Sequence, residues 1–208
     1  MKVLIVNGSS HVNGTTMQYI KEMEKTFASE GVETEVIQIG GKPVGDCLQC
    51  GYCATHGKCV MNGDGVNEFV EKAKTADGFI FATPVYYAHP SGRILSFLDR
   101  AFYSADKATF RFKPGASFAV ARRGGNVASF DVLNKYFGIS AMPVPGSSYW
   151  GAAHGRVAAD AEHDVEGMDI ARNLAHNMAW LLKCIEAGKQ AGVSYPTMES
   201  HGYTHFVR

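Results

Sequence analysis

The stretch Lys2-Val-Leu-Ile-Val-Asn7, Gly8-Ser-Ser-His-Val-Asn-Gly-Thr-Thr16, and the amphipathic segment that follows it decide the fold. Lys2 to Asn7 is a short continuous apolar run, the pattern of a strand buried on both faces and therefore of a parallel sheet. From Thr15 to Glu30, Tyr19, Ile20, Met23 and Phe27 recur at spacings of three and four, which marks one helical stripe, and Gly31 ends it. Between strand and helix, Gly8 to Thr16 offers free backbone amides, the hydroxyls of Ser9, Ser10, Thr15 and Thr16, and the positive end of a helix dipole. That combination suits a phosphate. It is not a nucleoside-triphosphate P-loop, because the Gly-Lys-Ser/Thr ending is missing, nor is it a G-x-G-x-x-G dinucleotide fingerprint. Hydroxyls and amides without a lysine fit a terminal phosphomonoester held as a dianion. The same residues also allow an ordinary capped turn, with Thr15 or Ser10 as N-cap and nothing bound.

Working outward, strands and helices alternate. Strands are predicted at Thr34–Ile39, Gly78–Thr83, about Ala116–Ala121 and about Ala141–Val144. Helices are predicted at Asn67–Thr75, from an N-cap at Ser91 through Phe97 and Phe102, at about Ala128–Phe137, and at about Val165–Gly188. The buried stripe of the last helix reads Met168, Ala171, Leu174, Met178, Leu181 and Ile185, with Cys184 as a small buried apolar residue. Apolar strands alternating with amphipathic helices imply an α/β protein with a parallel sheet covered on both faces, and such sheets bind ligands beyond the carboxyl ends of their strands. Residues 1–190 read as one domain and 191–208 as a C-terminal tail.

Composition narrows the function. The chain has 208 residues, 46% of them hydrophobic, enough for a sizeable core and against intrinsic disorder. Twenty basic and twenty acidic side chains give a net charge of zero, so no electrostatic footprint for nucleic acid or an anionic membrane exists. No apolar run approaches a spanning helix, and the N-terminus lacks the pattern of an export signal, so a cytoplasmic location is expected. Small-molecule chemistry follows. Glycine is abundant, 23 residues, and much of it clusters in loops after strands.

Two of those loops suit a flat ring. Thr83-Pro-Val-Tyr-Tyr-Ala-His-Pro-Ser-Gly92 is stiffened by Pro84 and Pro90, so Tyr86 and Tyr87 can present fixed aromatic faces. Arg122-Arg-Gly-Gly-Asn126 lets main chain at Gly124 and Gly125 approach a planar heterocycle such as flavin. Taken singly, each also reads as core aromatics or a plain turn.

The long segment 40–63, cysteine-rich over 44–63, shows no periodicity. Its Cys47-x-x-Cys50-x-x-Cys53-x5-Cys59 repeats the first three positions of the bacterial ferredoxin ligand run but then has five intervening residues and Val60 in place of proline. A [4Fe-4S] cluster, a four-thiolate zinc site and thiols that bind nothing all remain open on these residues.

The G-S-S-x-x-N-G-T-T loop, the T-P-V-Y-Y…S-G…F-L-D-R segment through Arg100, the R-R-G-G stretch and Ser147-Ser-Tyr-Trp150 together resemble the flavodoxin-like NAD(P)H-dependent FMN reductases, in particular their iron–sulfur flavoprotein branch. The resemblance implies a flavodoxin-like three-layer fold with a five-stranded parallel sheet of order 2-1-3-4-5. It implies that Ser9, Ser10, Asn13, Gly14, Thr15 and Thr16 hold the FMN phosphate, and that Pro84, Val85, Tyr86 and Tyr87 line the isoalloxazine. Arg122, Gly124 and Gly125 would border its pyrimidine side, and Cys47, Cys50, Cys53 and Cys59 would ligate a cluster. One departure stands out. The family often has Ser-Pro-Arg after the first glycine, whereas here Ser9-Ser10-His11 removes a guanidinium from the phosphate's surroundings.

The implied activity is an NAD(P)H oxidoreductase passing electrons through FMN to a quinone, flavin, nitro compound or iron–sulfur partner. An electron carrier exchanging with ferredoxin, and a zinc-stabilised binding module, are the rivals. Homodimers or homotetramers are the family habit. Ser147 to His154 reads either as a cover over the flavin or a subunit contact, or as a structural loop, and His154 as a proton donor or a surface residue. The aromatic tail from Tyr195 through His201, Tyr203, His205 and Phe206 is expected to pack on a partner subunit.

Overall fold

The structure, a computed structural model, describes residues 1–199 together with Gly202 and Phe206, so the tail expectation at His201, Tyr203 and His205 lies outside the described residues. Strand β1 (Lys2–Asn7) leads into α1 (Thr15–Ser29), and β2 (Glu33–Gln38) follows. The cysteine segment carries a single-turn helix, α2 (Tyr52–His56), before α3 (Val66–Thr75). Next come β3 (Gly78–Tyr86), the two-residue β4 (His89–Pro90), α4 (Gly92–Ser104), β5 (Gly115–Ala121), α5 (Asn126–Ile139), β6 (Ala152–His154) and α6 (Val165–Gln190).

The five parallel strands lie in the order β2-β1-β3-β5-β6, the flavodoxin-like arrangement, with β4 added as an antiparallel hairpin on β3. Because successive side chains of a strand face opposite ways, β1 feeds both layers. Val3 and Ile5 pack with Tyr19, Met23 and Phe27 of α1 and Leu174 and Met178 of α6. Leu4 and Val6 pack on the other side with Phe69 of α3, Phe97 of α4 and Phe137 of α5. That second layer is aromatic, Phe81 stacking on Phe137 at 5.3 Å and Phe69 meeting Phe97 at 5.2 Å.

Two expectations are corrected here. The segment expected as a fifth strand, Ala141–Val144, is irregular, and the fifth parallel strand is Ala152–His154. Pro143 and Pro145 supply no amide for a ladder, and Ala141 takes a left-handed φ of 53°. The segment therefore meets the start of β5 through an isolated bond, Gly115 N donating to Pro143 O at 3.0 Å. Cys184, expected to be buried, is exposed. The stripe of α6 runs through Ala171, Leu174, Ala175, Met178 and Leu182, so the helix turns Cys184 outward.

The layered core yields a direct contrast. Phe81→Ala, which empties a fully buried position in the aromatic layer, is expected to lower unfolding free energy by about 3–5 kcal/mol. Cys184→Ser is expected to stay within about 0.5 kcal/mol of the parent. Urea denaturation of both variants checks the pair, and a large loss for Cys184→Ser would return that side chain to the core.

Candidate functional site

The first loop is set in place from below. Asn7, fully buried, donates from its amide to Gln38 Oε1 at 2.7 Å and accepts at Oδ1 from Ser9 N at 3.0 Å, and Gln38 Nε2 donates to Ser9 O at 2.7 Å. Ser9 Oγ in turn accepts from His11 N at 3.1 Å. The N-cap of α1 is Gly14, with no side chain closing the helix end. The capped turn with Thr15 or Ser10 as N-cap is therefore overturned: Met17 N donates to Gly14 O at 3.1 Å, and no side chain caps the first turn of α1.

This loop forms one wall of a cavity of about 790 Å³, inside the usual range for small-molecule sites. Ser9, Ser10, Asn13, Gly14, Thr15 and Thr16 line it, as do Pro84, Val85 and Tyr86 from the end of β3 and Arg122 from the end of β5. The three loops read from the sequence thus converge beyond the carboxyl edge of the sheet. Tyr87, Gly124 and Gly125 stand outside that lining. Tyr87 is fully exposed at the tip of the β3–β4 hairpin, where it and Ala88 both take positive φ, 51° and 62°. Gly125, at φ 93°, supports this turn at close quarters, since a Cβ there would lie 2.4 Å from Ala88 Cα.

A fourth wall escaped sequence reasoning. Gly155, Arg156, Val157 and Ala158, just after β6, also line the cavity. A Cβ on Gly155 would come 2.6 Å from Thr15 Cγ2, so only glycine allows this approach. The backbone amides of Arg156 and Val157 donate to Asp160 Oδ2 at 2.7 and 3.0 Å. Those bonds, Val157's first, hold the Asp160 carboxyl below its ordinary range. Behind them the Tyr19 hydroxyl is shared between His154 O at 2.6 Å and Asp164 Oδ2 at 2.7 Å, while Asp164 Oδ1 accepts from Gly167 N at the start of α6. Burial foremost, then the Asp164 carboxylate, pushes the Tyr19 pKa up, so it stays a neutral donor. His154 itself is exposed, its Nε2 3.1 Å from the Asn126 side-chain amide. The signal for this wall was a glycine pair, Gly151 and Gly155, bracketing a three-residue strand too short to register as periodicity.

The cysteines form a second place. Cys47, Cys50, Cys53 and Cys59 border one small cavity, closed from α4 by Arg100, Tyr103 and Ser104. Among the described residues no three His, Cys, Asp or Glu side chains converge on one ion. Arg100, 1% exposed, spans the loop: Nε donates to Cys59 Sγ at 3.3 Å, Nη1 to Gly45 O and Nη2 to Met61 O, each at 3.2 Å, and the fork pairs with Asp64. Burial opposes its charge, but Asp64 and Cys59 outweigh that and raise its pKa. Asn67 holds the same stretch, accepting from Cys59 N at 2.9 Å and donating to Cys59 O at 3.0 Å. Ser104 Oγ is buried without a protein partner.

A parallel sheet of this order with a hydroxyl- and amide-lined cavity at its carboxyl edge defines a flavodoxin-like oxidoreductase. Residues 1–156 match the NADPH-dependent FMN reductase family model, and the chain belongs to that family. It is 33% identical over 193 residues to an iron-sulfur flavoprotein of Methanocaldococcus jannaschii, covering 89% of this chain and all of that one. An iron-sulfur flavoprotein of Archaeoglobus fulgidus is 34% identical over 149 residues, covering 69% of this chain and 75% of that one. In fold the chain is similar to RosB, solved with 8-demethyl-8-formylriboflavin-5'-phosphate, with a TM-score of 0.69, 17% identity, and coverage of 100% and 94%. Among the described residues no helix is long and apolar enough to cross a membrane.

The Asp160 contacts predict an acid-side dependence. A carboxyl whose folded pKa is depressed stabilises fully above its unfolded value of 3.8, and that contribution is lost as pH falls through the folded value. The stability difference between the wild type and Asp160→Ala, measured by urea denaturation, is expected to shrink as pH falls from about 6 to about 3. A difference independent of pH would show that the carboxylate does not hold this wall.

Proposed function

We propose that the protein is an FMN-dependent NAD(P)H oxidoreductase whose flavin occupies the cavity between the first loop, the ends of β3 and β5 and the wall at Gly155–Ala158. The observation that carries this reading is the start of α1, without a side-chain cap, at a cavity of about 790 Å³ lined by four serine and threonine hydroxyls. Ser9, Ser10, Asn13, Gly14, Thr15 and Thr16 would hold the phosphate through amides and hydroxyls, the donor set a dianion requires. Pro84, Val85 and Tyr86 would lie against the isoalloxazine, and Arg122 would face its polar edge. Tyr87, Gly124 and Gly125 would act from the rim, Gly125 by holding the hairpin in place. Bound FMN accepts a hydride from a nicotinamide and releases electrons to an acceptor. The chain's own part is to bind, orient and shield it, and no acid–base pair is needed.

Arg156 supports the phosphate reading at the point of departure noted above. His11 stands where relatives often carry arginine, and Arg156 is an arginine that lines the same cavity.

The cysteine cavity supports a one-electron acceptor. The four thiols border one small hollow, and with the ferredoxin-like spacing of the first three and the iron-sulfur flavoprotein relatives this supports a [4Fe-4S] cluster over a single tetrahedral zinc. Cys47, Cys50, Cys53 and Cys59 would be its ligands, and a ferredoxin-like protein its exchange partner. Exposed Tyr149 and Trp150, bordering an apolar hollow of about 360 Å³, support a homodimer or homotetramer.

The test is an absorption spectrum of protein purified without oxygen, with iron, sulfide and NAD(P)H oxidation measured on the same sample. Flavin bands with iron and sulfide near about four per chain and nicotinamide oxidation are the expected result, and no flavin uptake overturns it. Arg156→Ala is expected to weaken FMN binding about tenfold or more, as loss of a charge-assisted hydrogen bond does. Adding His11→Arg is expected to restore much of it. Titration of flavin fluorescence reads both.

A further inference from the structure

On α4, Arg100 and Ser104 are four residues apart and so lie on one face of the helix. That face closes the cysteine cavity. The five N–H groups of Arg100 are not spent on one task. The fork holds the loop, through Asp64 and the carbonyls of Gly45 and Met61, while Nε alone is turned to a cysteine sulfur. A purely structural arginine is satisfied by its carboxylate and carbonyls, and needs no sulfur. Ser104 adds the complementary observation. Its Oγ is buried and has no acceptor in the protein, although a buried hydroxyl without a partner is costly and uncommon. Arg100 and Ser104 line the same cavity, the one that the four cysteines border.

We propose that Arg100 and Ser104 are a pair of positioning donors that hydrogen-bond the sulfurs of the cluster, Arg100 at Cys59 and Ser104 at the cluster itself, and thereby raise its reduction potential. This rests on the cluster reading of the cysteine loop. Reduction adds one negative charge to the cluster, and donors at its sulfurs stabilise that charge more than they stabilise the oxidised form. The effect is strengthened by exclusion of water, Arg100 being 1% exposed and Ser104 6%. Asp64 does not cancel it, because the carboxylate lies on the far, forked side of the guanidinium while Nε faces the sulfur. The arrangement also separates two contributions. Lysine at position 100 keeps a cation and loses the fixed fork and Nε–H, whereas glutamine there also leaves the Asp64 carboxylate uncompensated beside the cluster.

The experiment is an anaerobic redox titration of full-length wild type, Arg100→Lys, Arg100→Gln and Ser104→Ala, followed by electron paramagnetic resonance of the reduced cluster. Iron, sulfide, bound flavin and thermal midpoint are measured on each preparation. Ser104→Ala and Arg100→Lys are expected to retain iron and sulfide and to shift the cluster to a lower potential, with Arg100→Gln shifted furthest and the flavin potential unmoved. Loss of iron from an Arg100 variant that keeps its flavin and its thermal midpoint overturns the role of Arg100 as a tuning donor and leaves it a brace for the loop, and Ser104→Ala then decides whether the hydroxyl acts on the cluster. Should both Arg100 variants fail to fold, Ser104→Ala decides alone. An unchanged cluster potential in iron-replete Ser104→Ala and Arg100→Lys overturns the proposal and leaves the cluster in place. Wild type without iron or sulfide overturns the cluster reading itself.

Discussion

The Ser91 hydroxyl donates to the Gly8 carbonyl at 3.0 Å while accepting from Ile94 N at 3.4 Å, joining the loop after β1 to the start of α4. Around it, Gly8 N donates to Ala82 O at 2.7 Å, Ser91 N to Thr83 Oγ1 at 3.1 Å, and Thr83 Oγ1 to Pro84 O at 2.8 Å. Each such bond adds only about 1 kcal/mol net, but leaving one of these buried groups unpaired costs about 1–3 kcal/mol. The network therefore acts as a constraint more than as a source of stability. The loop after β1 and the loop after β3 cannot move independently, because a shift of either strands a buried donor or acceptor of the other. Geometry at the cavity is inherited from the sheet, and the loops have little freedom to adjust it.

Strain at the loop after β3 has the same logic. Tyr87 and Ala88 both sit in the left-handed region, where non-glycine residues cost of order 1 kcal/mol or more each and persist only if their surroundings insist. Here Gly125 insists, lying against Ala88 too closely for any side chain. The result is a fully exposed tyrosine on a rigid turn at the cavity rim. An aromatic face that is already ordered loses little entropy on meeting a ring or another subunit, which is a reason for the strained turn to exist.

Much of this was legible because it is carried by periodicity and punctuation. Apolar runs of β1, β3 and β5, the α1 and α4 stripes and the Ser91 cap all follow from residue spacing, and the elements fall within a few residues of expectation. The loops that line the cavity were legible because glycine, proline and hydroxyls gather after strands. The failures share a cause. Ala141–Val144 has the apolar composition of a strand, but strand formation there is decided by two prolines and by whether β5 has amides to offer, which is tertiary. Ala152–His154 is a strand because β5 presents Ala119–Ala121 to it, not because of its own pattern. Arg156 was invisible for the same reason, a charged residue in an irregular loop that acquires meaning only when Gly155 packs on Thr15. Cys184 misled through composition: cysteine is usually buried, but the helical phase set by Leu182 places it on the outside.

The two sites are not separate features on a common scaffold. Helix α4 is capped by Ser91, inside the network that joins the two cavity loops, and presents Arg100 and Ser104 to the cysteine cavity near its end. At 1.5 Å per residue its 13 residues span about 20 Å. Its apolar face, Ile94, Phe97, Leu98 and Ala101, is fully buried against α3 and the sheet, so it cannot slide without opening the aromatic layer. The cysteine loop has little packing of its own. It is held by Arg100 from α4 and Asn67 from α3, two polar anchors reaching from rigid helices to a loop with one short helical turn. Whatever the four thiols bind is therefore held at a fixed distance from the cavity at the sheet edge by a helix locked at both ends.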